Sequence, residues 1–227
     1  MNQWYTYLVT LVGVVCVGFM VRLFFFADLS SRTVPSDVLQ GALVGFGLAL
    51  VTAQVYGRVK GSKVNGWVSM LGCGVPGNGM FLRAAHAWVF PGPITVPQEA
   101  MYWWSNTDGA GRRLDGRQSY VMHFPAGQLP PTDAFWSLTM GDGGRNQYVP
   151  NPINRYHMGD RSGLGPNPDG SVDIYIQNAA PAGRESNWLP APTTTFILWF
   201  RVYIPGPAIL DRTYQAPPAI TAAGGRA

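Results

Sequence analysis

Two long apolar runs dominate the first quarter of the chain. Residues 4–26 contain a single charged residue, Arg22, and residues 38–57 contain none. An α-helix rises about 1.5 Å per residue, so about 20 apolar residues are enough to cross the hydrocarbon core of a bilayer. The pattern therefore predicts two transmembrane α-helices, at about 4–26 and 38–57, and assigns residues 1–63 to a membrane anchor.

The second apolar run carries a pair of glycines, Gly41 and Gly45, in small-xxx-small spacing. This spacing lets two helices approach each other closely in lipid. The alternative is that glycine is simply frequent in transmembrane helices. The helix-pairing interpretation predicts that a membrane-protein partner or a second copy of the chain binds along this face.

The formal net charge of +4 is concentrated beside these apolar runs. Arg58, Lys60 and Lys63 follow the second run, where they would meet anionic lipid headgroups. The rest of the chain is nearly neutral and lacks the clustered basic residues of a nucleic-acid face. We therefore expect a lipid bilayer, and no nucleic acid, as a partner. Positive residues on the two sides of the runs favour a cytoplasmic domain by one charge.

Short runs with β-strand character follow the anchor. Residues 171–177 alternate between apolar and polar, which is typical of a half-buried strand, and residues 194–204 are rich in β-branched and aromatic side chains. Together with Pro- and Gly-rich turns, they predict a mainly β fold, an antiparallel jelly-roll or β-sandwich domain over 64–215, and a mobile tail over 216–227. The other predicted elements are strands at 98–107, 118–124 and 134–140 and a helix at 81–90.

Several sequence motifs occur in the order that characterises one bacterial family. The chain resembles the "domain of unknown function 1214" family over about residues 65–215. The resemblance implies a β-sandwich of jelly-roll type in an envelope protein that carries an N-terminal signal or anchor, with the domain outside the cytoplasm, and it implies no particular activity. The motifs are FPAGQLPPTDAFWSLTMGD (124–142), NPINRYHMGDR (151–161), NPDGSVDIYIQ (167–177), NWLPAP (187–192) and FRVYIP (200–205).

Motifs for metals and for catalysis are missing from the sequence. His86, His123 and His157 lie far apart and lack the short spacing of metal ligands. The alternating oxygens over 167–173 are better explained by a Pro-Asp-Gly turn than by a calcium loop, because no glutamate follows at the twelfth position. The sequence also lacks a nucleophile elbow and a phosphate loop. We therefore predict no metal and no cofactor, and the catalytic residues, if any, stay unknown.

Arg201 stands in the middle of a very apolar strand. Alternation puts Trp199, Arg201 and Tyr203 on one face, which could stack against and hydrogen-bond a ligand such as a sugar or a carboxylate. The alternative is a structural ion pair with Asp160 or Asp169, since a buried arginine needs a partner, and the pattern favours this alternative. The candidate polar cluster consists of Asn154, Arg155, Tyr156, Asp160, Asn187, Trp188, Arg201 and Tyr203.

These features together predict a membrane-anchored envelope protein that is a binding protein or an accessory subunit of a membrane complex. A hydrolase that acts on a carbohydrate or another envelope substrate is the second hypothesis. It would require two carboxyl groups about 5–10 Å apart, and Asp142, Asp160, Asp169 and Asp173 could supply them.

Overall fold

The chain forms two compact units. The computed structural model describes residues 15, 18, 34–69, 72–89, 94–144, 147–217 and 219–221. One unit combines residues 1–60 with 78–94, and the other combines residues 61–77 with 95–227. The sequence prediction placed the domain boundary between 63 and 64, and the first unit boundary lies between 60 and 61. The segment 78–94, which carries the predicted helix at 81–90, lies with the first unit.

Among the described residues of the first unit, the helices α1 (Val34–Lys60) and α2 (Met80–Val89) pack against each other. Val44 of α1 is buried, whereas Phe46 is 65% exposed and Val55 is 51% exposed. A Cβ atom built on Gly41 or Gly45 would meet nothing within 4 Å. The glycine pair therefore lies away from the contacts of α1 within the described residues, and its role in helix pairing stays a prediction.

The structure does not support the predicted transmembrane pair. Among the described residues, no helix combines the length and the apolar character needed to cross a bilayer. The span predicted at 4–26 lies outside the described residues except for Val15 and Gly18, and the span predicted at 38–57 falls within α1.

The second unit is the β domain. Its strands confirm the predicted ones at 98–107, 118–124, 134–140, 171–177 and 194–204, with shifts of a few residues at the ends. The strands of the described chain are β1 (Ser62–Val64), β2 (Trp67–Ser69), β3 (Ala100–Ser105), β4 (Tyr120–Phe124), β5 (Thr132–Asp142), β6 (His157–Gly159), β7 (Val172–Gln177), β8 (Trp188–Pro190), β9 (Phe196–Pro205) and β10 (Ala219–Thr221).

These strands form two sheets. The larger sheet has the order β1-β2-β3-β9-β5-β6, and the smaller sheet has the order β10-β4-β7-β8. All neighbouring strands are antiparallel except β7 and β8, which are parallel. The prediction of a mainly β domain with antiparallel sheets is therefore confirmed.

The hydrophobic core lies between the two sheets. Alternation along β9 buries Leu198, Phe200 and Val202 completely. The sheets meet through aromatic pairs: the rings of Phe124 and Trp136 are 5.3 Å apart at their centroids. Removal of this apolar surface from water is the main force that holds the sheets together. One face of the larger sheet is thereby committed to the core, and the opposite face is left for other contacts.

The C-terminal segment is more ordered than the sequence predicts. The prediction of a mobile tail over 216–227 is wrong for its first part, because Ala216 is buried and β10 pairs with β4, with Ile220 opposite Val121. The pairing gives backbone groups at the edge of the smaller sheet hydrogen-bond partners that the edge would otherwise lack. Residues 222–227 lie outside the described residues.

Candidate functional site

The outer face of the larger sheet carries a row of side chains centred on Arg201. In the strand register, Arg201 lies opposite Tyr102 of β3 and Ser137 of β5. Ser137 in turn lies opposite Gly159 of β6. Side chains at alternate positions of a strand point to the same face, so the rows on either side of this one carry Trp199 and Tyr203 of β9. Arg201 and Tyr203 are half-buried, whereas Trp199 is buried.

This face contains a groove of about 370 Å³. We call it the Arg201 groove. Its walls come from five segments of the domain: β5, the loop that carries Tyr148, β6, the 3-10 turn Asp160–Ser162 and β9. Among the described residues that line it, none carries a carboxyl group. The residues whose side chains matter for the chemistry are Phe135, Ser137, Thr139, Tyr148, His157, Arg161, Ser162, Arg201 and Tyr203.

Arg201 is held by a hydroxyl and an aromatic ring. Its Nη1 donates a hydrogen bond to Thr139 Oγ1 over 3.0 Å, and its Cζ lies 5.8 Å from the centroid of the Trp199 ring. Trp199 and Thr139 are both buried. The guanidinium therefore keeps its charge beside a wall of low polarity, where an electrostatic interaction with an anion is stronger than in water.

The expected structural ion pair is not found. Asp160 instead accepts a hydrogen bond from the backbone N–H of Trp136 over 3.1 Å, and Asp169 accepts one from Ser171. Among the described ion pairs, which are Arg112–Asp108, Arg117–Asp115 and His123–Asp173, none includes Arg201. The half-buried arginine thus has donors that no carboxylate of the described chain occupies.

A second guanidinium lies at the other end of the groove. The Cζ of Arg161 is 4.4 Å from the centroid of the Phe135 ring, and its Nη2 donates a hydrogen bond of 3.3 Å to the Ala134 carbonyl. Phe135 stacks on Tyr203 with its ring centroid 4.5 Å away. Cation–π contacts of this kind hold an exposed guanidinium in place without neutralising its charge.

A glycine fixes the indole beneath Arg201. Gly141 lies on β5, and a Cβ atom at this position would be 2.5 Å from Cη2 of Trp199. The absence of a side chain therefore lets the Trp199 ring lie flat over β5. This contact requires glycine for close approach rather than for an unusual backbone angle.

Three residues of the predicted cluster lie together but outside the groove. Nη1 of Arg155 donates to the carbonyls of Glu185 and Trp188 over 2.6 and 2.8 Å. Asn187 is only 2% exposed and bonds the backbone of Gly165. Their hydrogen bonds connect loops to β8, so these residues stabilise the domain.

The other predicted residues divide between the two locations. Arg201 and Tyr203 line the groove, as the alternation along β9 suggested. Asn154 accepts a hydrogen bond from the Tyr156 hydroxyl, and Asp160 begins the 3-10 turn that carries Arg161. These last three residues are not among the residues that line the groove, although Tyr156 packs against Tyr148 and Asp160 precedes Arg161.

Sequence reasoning missed several groove residues. Ser137 and Thr139 are two residues apart on β5, and their polar side chains in an apolar run were an available signal for an outward face. His157 and Arg161 are brought beside them by the pairing of β6 with β5, which the sequence does not specify. Burial raises the pKa of Tyr102, the neighbour of Arg201 on β3, so its phenol remains a neutral donor.

The alternating polar residues after Pro166 form a turn that is hydrogen-bonded within itself and to neighbouring segments. Asn167 Nδ2 donates to Ser171 Oγ and to Asp173 Oδ2, and Asp169 accepts from Ser171. Over the residues that the structure describes, no group of three or more His, Cys, Asp or Glu side chains could hold a metal ion. The remaining oxygens of Asn167 and Asp173 are bonded by Arg184 and His123 of other segments.

Comparison with known proteins finds one family model that matches part of the β domain. Residues 99–207 match the family model described as "Protein of unknown function (DUF1214)". No curated protein matches the chain. The chain is similar to the crystal structure of the VPA0106 protein from Vibrio parahaemolyticus, with a TM-score of 0.60 and 23% identity over 85% of this chain. An uncharacterized protein from Burkholderia cenocepacia gives a TM-score of 0.34 at 23% identity, over 57% of this chain and 31% of that one.

The chain spans 47% of the length of the Vibrio protein. At this level of identity the similarity concerns the fold alone. The match over residues 99–207 supports membership of the DUF1214 family for the β domain that these residues build.

Proposed function

We propose that the protein is a membrane-anchored protein of the cell envelope whose β domain binds an anion-bearing ligand or partner in the Arg201 groove. It acts as a binding protein or as an accessory subunit of a membrane complex, with the domain outside the cytoplasm. The observation that carries this proposal is the half-buried Arg201, which bonds Thr139 and has no ion pair with a described carboxylate.

Binding fits this groove better than hydrolysis. Glycoside hydrolysis generally uses two carboxyl groups, one as an acid and one as a base or nucleophile. The described lining residues offer guanidinium, hydroxyl, imidazole and aromatic groups instead. These groups bind and orient an anion. A hydrolase that acts on a carbohydrate or another envelope substrate is the alternative proposal.

The membrane part of the proposal rests on the sequence and on exposed apolar side chains. Residues 38–57 carry no charge, and three basic residues follow at 58, 60 and 63. Within this stretch Leu43, Phe46 and Val55 are exposed in α1. An exposed apolar surface of this kind is favourable when lipid or another helix covers it.

We expect the full chain to stay with the membrane when native membranes are washed with alkaline carbonate, because an inserted apolar helix is not released by breaking electrostatic contacts. A soluble protein of the same preparation serves as the control and should appear in the wash. Recovery of most of the full chain in the wash would exclude the anchor.

The binding function is tested by purifying the intact protein from native membranes in mild detergent and identifying bound species by mass spectrometry. We expect a stoichiometric ligand or partner with the natural chain and its loss with Arg201→Gln. Arg184→Gln is the matched control, because it also removes one positive charge, and the exposed Arg184 side chain bonds Asn167 outside the groove.

Retention of the bound species in Arg184→Gln and its loss in Arg201→Gln would support the groove. Recovery of the natural chain alone, or of the same species with all three chains, would contradict the proposed function.

A further inference from the structure

The centre of the groove offers donors that suit a carboxylate. Arg201 presents a planar fork of N–H groups, which binds the two oxygens of a carboxylate side by side. Its Nη1 is held by Thr139, so the guanidinium is fixed in place before a ligand arrives. The hydroxyl of Ser137 lies on the opposite strand at the same register and has no hydrogen-bond partner within the described chain. Arg201 and Ser137 together form a receptor for one carboxylate.

The rim of the groove offers a flat aromatic surface. Tyr148 is 59% exposed, and its ring is supported from behind by Tyr156, with 5.7 Å between the ring centroids. The face of an aromatic ring carries partial negative charge. It attracts the C–H groups on the apolar face of a sugar ring, which carry partial positive charge. An exposed tyrosine beside several hydroxyl groups therefore fits a polyhydroxylated ring.

The groove is open rather than closed. A fatty acid or an aromatic acid is bound best in an enclosed apolar cavity. Here the lining includes Ser162, His157 and Tyr203, whose polar groups can exchange hydrogen bonds with sugar hydroxyls. An open, polar groove of this kind suits a chain that passes through it.

Two cations mark the two ends of the groove. Arg201 bonds Thr139, and Arg161 lies over Phe135, so their contacts on β5 are four residues apart. At the rise of a strand, the Cα atoms of Thr139 and Phe135 are about 13 Å apart. A short oligosaccharide with a carboxylate on each unit spans such a length, whereas a single sugar ring does not. Arg161, like Arg201, has no carboxylate partner among the described residues.

We propose that the ligand of the Arg201 groove is an acidic oligosaccharide with carboxylated sugar units. This inference rests on the proposed function and names the ligand class of the same site. Arg201 with Ser137 binds one carboxylate, Arg161 binds a second, and Tyr148 stacks on a sugar ring between or beside them.

The test is a calorimetric titration of the full chain in mild detergent with trigalacturonate. We expect saturable binding that is weakened about 30-fold in Arg201→Gln and at least about 10-fold in Arg161→Gln, because a charge-assisted hydrogen bond to a carboxylate contributes severalfold more to affinity than a neutral one. Arg184→Gln should bind as the natural chain does. Maltotriose, which has no carboxylate, should show no saturable binding.

Arg201→Lys provides a second variant if Arg201→Gln is unstable. It keeps the charge but loses the planar fork, so trigalacturonate should again bind more weakly. Equal weakening in Arg184→Gln would mean that net charge alone controls affinity and would overturn the inference. If benzoate or inorganic phosphate binds as tightly as trigalacturonate or more tightly, the ligand is not an acidic sugar and this inference is overturned. The proposed function is tested separately, by the species that purifies with the natural chain from native membranes and is lost in Arg201→Gln.

Discussion

Replacing Asn187 by leucine should lower the free energy of unfolding of the β domain by about 3–6 kcal/mol. The Asn187 Oδ1 accepts a hydrogen bond from the Gly165 N–H over 2.8 Å, and its Nδ2 donates to the carbonyls of Gly165 and Asp173 over 2.8 and 2.9 Å. Asn187 is 2% exposed, so water cannot take over these bonds in the variant. Each buried polar group that loses its partner costs about 1–3 kcal/mol, and two or three such groups give the expected total.

The effect of this substitution is measured by urea unfolding of the full chain, followed by tryptophan fluorescence. Asn178→Leu is the matched control, because Asn178 is exposed and makes one bond, to the Ala191 carbonyl. That variant should lose about 1 kcal/mol or less. If Asn187→Leu unfolds within about 1 kcal/mol of the natural chain, the structural role assigned to Asn187 is wrong.

A second large effect is expected from Gly159→Ala, which should cost about 3 kcal/mol in stability and also weaken ligand binding. A Cβ atom at Gly159 would lie 2.0 Å from the Trp136 carbonyl oxygen. A backbone carbonyl cannot rotate away as a side chain can. The expected loss of stability is therefore at the upper end of the range for overpacking substitutions. Gly159 pairs β6 with Ser137 of β5, and separation of these strands would move Arg161 away from Arg201.

Gly165→Ala is the control for this prediction. The nearest atom to a Cβ there is Ser186 Oγ at 3.6 Å, an ordinary contact. Unfolding of both variants in urea, combined with titration of trigalacturonate, separates the effects on stability and on binding. A Gly159→Ala chain with natural stability and affinity would show that β6 does not position the groove as we describe.

Much of the β domain could be predicted because its strands carry strong local patterns. The alternation of Val172, Ile174 and Ile176 identifies β7, and the same period places Trp199, Arg201 and Tyr203 on one face of β9. β10 could not be predicted, since three residues are too few to show a period. Its strand depends on pairing with β4 across a large sequence separation.

The site was only partly predictable, for a physical reason. The identity of a polar residue in a motif does not show whether its side chain binds a ligand or hydrogen-bonds buried backbone groups. Asn187 and Arg155 do the latter, and the contact between Arg155 and Trp188 joins residues 33 positions apart. Arg161 lies in the groove because β6 pairs with β5, and this pairing is set by the fold as a whole. The sequence therefore identified Arg201 but not the set of residues around it.

The most direct test of the central claim is a crystal structure of the full chain with bound trigalacturonate. We predict that one carboxylate lies within hydrogen-bond distance of Arg201 Nη2 and Ser137 Oγ, with Arg201 still bonded to Thr139. A ligand bound elsewhere on the domain, or a carboxylate of the protein itself paired with Arg201, would contradict the role of this arginine as the receptor for an anion.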